Sequence, residues 1–183
     1  QKEKAISAIH LKHNSQESHH LDLVLDQVQG INPDRFIIFD IRPEAAKYLK
    51  ERNPRLKLAL SVPNQYDIKP YNNFVGGTLF SIEEALASRK LFDWVWLDEW
   101  DLIGPGGSEK KLYIKEVFDK LRKMKFDIAV VSPELHNSSA GLLGGESHPD
   151  GAGESLKIRM REIISLKPDL YCTDYPDLVL SLS

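Results

Sequence analysis

Short apolar runs alternate with amphipathic helical patterns along the whole chain, and this alternation limits the possible folds more than any other feature. Several runs are continuously apolar, as in Phe36-Ile37-Ile38-Phe39. Continuously apolar strands are typical of parallel sheets that are buried on both faces. The pattern predicts six strands, at 5–11, 36–41, 56–62, 94–97, 128–132 and 170–173.

The segments between these strands carry helical signals. Leu21, Val24, Leu25 and Val28 are spaced to lie on one face of a helix, which Gly30 is placed to end. Further helices are predicted at 44–52, after Pro43, and at 85–90, after a capping box of Ser81 and Glu84. A longer helix is predicted from Ser108 onward, with Leu112, Val117, Leu121 and Met124 facing inward. The last helix is predicted at 154–166.

The resulting order of strands and helices predicts a single α/β domain over residues 1–183. Two architectures fit: an open doubly wound sheet and a (β/α) TIM-type barrel. A Gly-x-Gly-x-x-Gly motif does not follow the first strand, which disfavours a dinucleotide-binding sheet.

Composition excludes some classes of partner. The net charge is −3 and no long basic stretch is present, so we expect no nucleic-acid partner. No apolar run approaches the roughly 20 residues of a membrane-spanning helix, so a soluble protein is predicted. The one cysteine, Cys172, excludes an internal disulfide and favours a reducing compartment such as the cytoplasm.

Polar side chains collect where the predicted strands end, which is where ligands bind in both architectures. This pattern predicts a ligand pocket. The polar residues at these ends are His10 and Lys12, Asp40 and Arg42, Ser61 and Asn64, Asp98, Glu99 and Asp101, Glu134 and His136, and Thr173 and Asp174.

The first strand ends in His10-Leu11-Lys12. Strand alternation puts His10 and Lys12 on the same side. Lys12 would offer a compact cation to a phosphate oxygen. His10 would serve as a metal ligand or a proton carrier. A hydrogen-bonded histidine beside a solvated lysine is the alternative interpretation.

The fourth strand leads into a patch of three tryptophans and three carboxylates at 94–101. Its carboxylates, Asp98 among them, would suit a divalent cation. Trp96 would form one wall of a site for an apolar or sugar-bearing ligand. In the alternative interpretation, Trp94 and Trp96 pack against helices and the acids cap the next turn.

Glu134 and His136, two positions apart after the fifth strand, would suit an acid/base pair. The Gly- and Ser-rich segment 138–154 that follows would suit a lid over a site, or an ordinary loop.

Three segments together resemble the glycerophosphodiester phosphodiesterase family of (β/α) barrels. That family carries Glu-x-Lys on a middle strand, a Ser-Phe-Asp-Pro-Glu-Ala-like segment after the next strand, and Thr-Asp-x-Pro at the last strand. The matching pieces here are Ile9-His10-Leu11-Lys12, Phe39-Asp40-Ile41-Arg42-Pro43-Glu44-Ala45 and Cys172-Thr173-Asp174-Tyr175-Pro176-Asp177-Leu178.

The resemblance implies metal-assisted hydrolysis of a phosphodiester, a small molecule or a lipid head group, with Mg or Ca as the divalent cation. His10 stands where the family has a metal-binding Glu, and Lys12 is retained. We assign Lys12, Glu134 and His136 to catalysis, His10 to the metal, and Asp40, Arg42, Trp96, Asp98 and Asp174 to ligand binding.

The family's early strands carry a His-Arg pair, a Glu-x-Asp pair and a second His, and the chain has no counterpart of them. A full barrel takes about 250 residues, so roughly 65 residues are missing by that measure. We therefore expect the later part of a barrel without its first strands, which does not hydrolyse phosphodiesters alone and which pairs with the missing segment or another chain. The alternative is a catalytically degenerate barrel module that binds a phosphorylated ligand or a protein partner.

Overall fold

The computed structural model describes residues 5–136 and 147–183. Within these ranges the chain forms six β-strands and seven α-helices. The strands are β1 Ser7–His10, β2 Phe36–Phe39, β3 Ala59–Pro63, β4 Trp94–Asp98, β5 Asp127–Val131 and β6 Leu170–Cys172. The helices are α1 Ser18–Val28, α2 Pro43–Arg52, α3 Gln65–Val75, α4 Ile82–Ala87, α5 Lys115–Lys123, α6 Gly153–Ser165 and α7 Pro176–Leu182.

The strands are parallel and neighbour one another in chain order. β1 pairs with β2, and β3 to β6 form a second parallel set. A parallel bridge between Ile38 and Leu58 joins the two sets, and the Ile38 amide donates to the Lys57 carbonyl at 3.0 Å. A doubly wound sheet would reverse its strand order at one point, and this order does not. The predicted parallel α/β fold is confirmed, while closure into a barrel stays a prediction.

The two faces of the sheet differ in what covers them. One face, with Ile38, Leu58 and Leu60, packs against apolar side chains of the surrounding helices, such as Leu49 of α2 and Leu121 of α5. The opposite face has a smaller core made of strand residues, with no α-helical residue among those described: Ile37, Ala59, Trp94, Trp96, Ala129 and Val131. Helices on one face and a strand-lined interior on the other is the arrangement of a (β/α) barrel wall.

The helices α2 and α6 lie within one residue of their predicted bounds, whereas α4, at Ile82–Ala87, lies three residues before the predicted 85–90. α1 ends at Val28 ahead of Gly30, whose φ is 80°, and α4 begins with the predicted capping box of Ser81 and Glu84. Two helices, α3 and α7, were not predicted. α3 contains Pro70 in its interior, which obscures its helical pattern.

The helix predicted from Ser108 is wrong at its start. α5 begins only at Lys115, because the amides of Leu112 and Tyr113 donate to the buried Glu99 carboxylate at 2.6 and 3.1 Å instead of joining a helix. Met124, predicted to face inward, lies at the C-cap with 41% of its surface exposed.

Two further predictions concern a lid at 138–154 and membrane-spanning helices. Most of the lid predicted at 138–154 falls on residues 137–146, which lie outside the described residues. Among the described helices, none has the length and apolar character required to cross a membrane.

Candidate functional site

A cavity of about 340 Å³ opens at the carboxyl ends of the strands. Five residues assigned to the site from the sequence line it: His10, Lys12, Asp40, Trp96 and Asp98. They come from β1, β2 and β4 and the turns that follow, so parallel pairing in chain order brings residues from 10 to 98 to one mouth. Its volume lies at the low end of the roughly 300–1,000 Å³ that small-molecule sites occupy.

His10 connects two other charged groups at this mouth. Its Nε2 lies 2.5 Å from Asp40 Oδ2, and its Nδ1 lies 3.1 Å from Lys12 Nζ. Because an ammonium only donates, Nδ1 accepts from Lys12 and Nε2–H donates to Asp40. The predicted placement of His10 and Lys12 on one side of the strand is confirmed.

Asp40 reaches His10 from a backbone conformation that few residues adopt. Its φ is 59°, in the left-handed region that Asp tolerates better than most side chains. The Asp40 amide donates to Ser61 Oγ at 3.2 Å, and its carbonyl accepts from Gln16 Nε2 at 2.6 Å. Contacts on both sides of the residue hold this conformation.

Gln16 is a positioning residue that the sequence prediction missed. Its side chain is buried and bonds three backbone groups: the carbonyls of Leu11 and Asp40, at 3.4 and 2.6 Å, and the Arg42 amide, at 2.8 Å. The segment after β1 is thereby tied to the segment after β2. A glutamine after a predicted strand is an ordinary loop residue, so its type alone carried no signal.

His136 and Asp98 form the second polar pair. His136 Nε2 lies 2.6 Å from Asp98 Oδ1, with 7% of the His136 side chain exposed. Burial alone would lower the pKa of His136, but the Asp98 carboxylate outweighs it and raises that pKa above its ordinary value of 6.5. The Asp98 carboxylate therefore favours the imidazolium form of His136.

Glu134 and His136, predicted as an acid/base pair, have different hydrogen-bond partners. The short 3-10 helix Pro133–His136 turns Glu134 towards β6, where its carboxylate accepts from Ser132, from the Thr173 hydroxyl and from the Asp174 amide at 3.2 Å. His136 turns towards β4 and Asp98 instead. Glu134 thus joins the ends of β5 and β6.

Two other assigned ligand-binding residues lie away from this cavity. Arg42 is the N-cap residue of α2. Asp174 borders, together with Glu134, a separate cavity of about 710 Å³ between the start of α6 and the start of α7.

The tryptophans of β4 lie on the inner face of the sheet. Trp94 and Trp96 pack with Ile37, Ala59 and other strand residues, so the alternative in which they pack against helices is wrong. Trp96 stacks on Phe39 with ring centroids 4.0 Å apart, and Phe39 stacks on His10 at 4.7 Å.

A buried ionic cluster lies directly behind Asp98. Glu99 pairs with Arg159 of α6 and lies 3.6 Å from His148 Nε2. Burial opposes the charge on Glu99, but the nearby His148 and the bonds from Arg159 and the Leu112 amide lower its pKa. Tyr113 lies in the same buried region, and its hydroxyl group donates to the Val131 carbonyl at 2.8 Å. Of these residues, only Glu99 was noted in the sequence.

The described residues do not by themselves fit a Mg²⁺ or Ca²⁺ site. No three His, Cys, Asp or Glu side chains within 5–136 and 147–183 are grouped to hold a metal ion. Both nitrogens of His10 are engaged, by Asp40 and Lys12. These hard cations take six or more ligands, mostly oxygens. The Mg or Ca expectation, with His10 as a ligand, stays a prediction.

No family model and no curated protein matches the chain, whereas solved structures do. Among solved structures it is similar to a glycerophosphoryl diester phosphodiesterase from Parabacteroides distasonis, at 14% identity and a TM-score of 0.52. It is also similar to proteins assigned to the same activity from Silicibacter pomeroyi, at 11% identity and a TM-score of 0.57, and from Galdieria sulphuraria, at 15% and 0.52.

These structures show the class of fold to which the chain corresponds. The alignments cover 97 to 99% of this chain but only 50 to 58% of the solved chains. The chain therefore spans little more than half the length of the structures that it matches. The resemblance noted in the sequence is confirmed at the level of fold.

Proposed function

We propose that the cavity at the strand ends binds a phosphodiester, as a small molecule or a lipid head group, within a phosphodiesterase-type barrel. The observation that carries this proposal is the convergence of Lys12 and Asp98 on one cavity, with His136 bonded to Asp98. Hydrolysis of a phosphodiester uses a cation for the phosphate and a proton donor for the departing alcohol, together with a water that forms the new bond to phosphorus and a base that takes a proton from that water.

Lys12 is the phosphate-binding residue in this proposal. Its ammonium lies at the mouth on an exposed side chain, within reach of a ligand that approaches from solvent. One of its three donors is directed to His10 Nδ1, which leaves donors for phosphate oxygens. His10 and Asp40 orient the ammonium rather than neutralise it directly.

His136 is the proton donor. The Asp98 carboxylate raises the pKa of His136, which favours the imidazolium form, and it fixes the orientation of the ring. Transfer of that proton to the alkoxide oxygen would let the alcohol leave. Glu134 has a positioning role, since its carboxylate accepts hydrogen bonds that join the ends of β5 and β6.

Hydrolysis by the complete barrel needs groups beyond this chain's described residues. No step is assigned to a metal, and the solved chains of similar fold are almost twice as long. β1 and β6 are the edges of the described sheet, so we include pairing with another segment or another chain in the proposal. The engagement of both His10 nitrogens favours the second candidate, a barrel module that binds a phosphorylated ligand without hydrolysing it.

Binding tests the proposal directly. Calorimetric titration with a small phosphodiester should give saturable binding, which Lys12→Ala weakens about tenfold to a hundredfold, the value of a charge-assisted hydrogen bond. Lys47→Ala is the matched control, because Lys47 is an exposed lysine on α2 outside the cavity. Equal affinity in the Lys12→Ala variant and the unmodified chain, or no binding by either, would refute the proposal.

Turnover separates the two candidate functions. We expect this chain alone to release no glycerol phosphate from a glycerophosphodiester, with or without Mg²⁺ or Ca²⁺. Metal-dependent turnover by the chain would contradict this expectation and establish it as an enzyme in its own right. Loss of that turnover in His136→Gln would then identify the proton donor.

A further inference from the structure

We infer that the phosphodiester carries an alkyl or aryl alcohol on the β4 side of the cavity, rather than a polyol such as glycerol. This inference rests on the proposed function and adds the chemical class of the ligand. The cavity has two unlike sides: His10, Lys12 and Asp40 from the β1 and β2 ends form the charged one, and the other is mostly aromatic and aliphatic, with Asp98 at the end of β4 as its charged residue.

The apolar side is lined by large side chains, which form the wall of the cavity. The rings of Phe39 and Trp96 are stacked on each other within 13° of parallel, so the edges of this stack face the cavity. Trp100 extends the wall, with Tyr71 packed edge-on against it at 4.8 Å. Leu79 and Leu135 also line the cavity. A surface of this kind binds methylene groups or an aromatic ring.

Apart from the Asp98 carboxylate, the hydroxyl groups and the indole nitrogen next to this wall are buried. Ser61 Oγ accepts from the Asp40 amide, and Thr78 Oγ1 donates to the Val75 carbonyl at 3.1 Å. The indole nitrogen of Trp100 lies beneath the surface. Hydroxyl groups of a polyol placed here would lose their hydrogen bonds to water without replacement, which is costly for binding.

Phe74 carries the apolar surface to the mouth of the cavity. It lies on α3, lines the cavity and remains 62% exposed, so it projects towards solvent beside the opening. An alkyl chain that leaves the phosphate along the wall would therefore continue onto Phe74. Its exposure also makes it a safe position for substitution, since little of the core depends on it.

A homologous series of monoanionic diesters tests the inference. The binding of dimethyl, butyl methyl, hexyl methyl and glyceryl methyl phosphate is measured by calorimetry on the intact chain. Affinity should rise about threefold to fourfold for each buried methylene and level off when the chain leaves the cavity. Glyceryl methyl phosphate should bind no more tightly than dimethyl phosphate.

A pair of variants locates the effect. Phe74→Ala should reduce the preference for the hexyl over the methyl ester by at least about threefold. Leu23→Ala should leave it unchanged, since Leu23 is a similarly exposed apolar residue, 59% exposed, on α1.

The outcomes separate this inference from the proposed function. Equal binding of all four diesters, or tightest binding of the glyceryl ester, would overturn the inference and leave phosphodiester binding intact. Binding of none of them would overturn both.

Discussion

His136 Nε2 lies 2.6 Å from Asp98 Oδ1, which links the turn after β5 to the end of β4. The two residues are 38 positions apart in the chain and meet because their strands are neighbours in the sheet. Only 7% of the His136 side chain is exposed, whereas 20% of the Asp98 side chain is exposed, so water reaches the pair mainly from the carboxylate. A charge-assisted bond in this setting both orients the ring and retains its proton.

Removing the Asp98 charge should therefore lower the pKa of His136. In Asp98→Asn the desolvation of the imidazole is no longer opposed by that carboxylate, so we expect the pKa to fall below 6.5. Titration of the His136 ring protons by NMR measures it. Asp26→Asn, at an exposed position of α1, should leave the titration unchanged. An unaltered His136 titration in Asp98→Asn would show that the pair does not hold the proton.

The same pair makes stability depend on pH. A histidine whose pKa is raised on folding stabilises the native state fully below its unfolded value of about 6.5. That contribution is lost as pH rises through the folded pKa. The free energy of unfolding in urea should thus fall as pH rises above about 6.5, and the fall should be smaller in His136→Gln. His19→Gln, at an exposed position near the start of α1, should keep the full dependence; identical pH profiles for His136→Gln and the unmodified chain would contradict the assignment.

The strands could be predicted because their signal is local. Runs such as Phe36–Phe39 are continuously apolar, which only a sheet buried on both faces explains over so short a length. The meeting of the polar strand ends could also be predicted, because the carboxyl ends of parallel strands lie at the same edge of the sheet. His10, Lys12, Asp40 and Asp98 line the cavity accordingly.

The errors lie where distant residues decide local structure. The start of α5 depends on Glu99, which binds the amides of residues 13 and 14 positions later. Gln16 bonds backbone groups 24 and 26 positions away. Glu134 and His136 are close in sequence, yet each is drawn to a different neighbouring strand. Spacing along the chain does not encode such contacts.

Gln16 should be needed for the geometry of the first strand ends. Gln16→Met keeps the volume of the side chain but leaves buried backbone groups of Asp40 and Arg42 without partners, a loss of about 2–3 kcal/mol in the free energy of unfolding. Urea denaturation measures the change. Gln27→Met on the exposed side of α1 should cost within about 0.5 kcal/mol. Equal stability of the two variants would show that Gln16 does not hold these segments together.

The Glu99–Arg159 pair should be among the most sensitive positions in the chain. Only 1% of the Glu99 side chain and 5% of the Arg159 side chain are exposed. Arg159→Met therefore leaves a buried carboxylate without its main counter-ion, and the loss of a partner from such a pair costs about 3–5 kcal/mol.

Lys157, on the same helix, provides the control. Lys157→Met removes a surface ion pair with Glu154, worth about 0–1 kcal/mol. The two variants compared by urea denaturation near pH 7 should differ by several kcal/mol. If they proved equally stable, the Glu99 charge would be compensated by His148 alone, and the cluster behind Asp98 would not depend on α6.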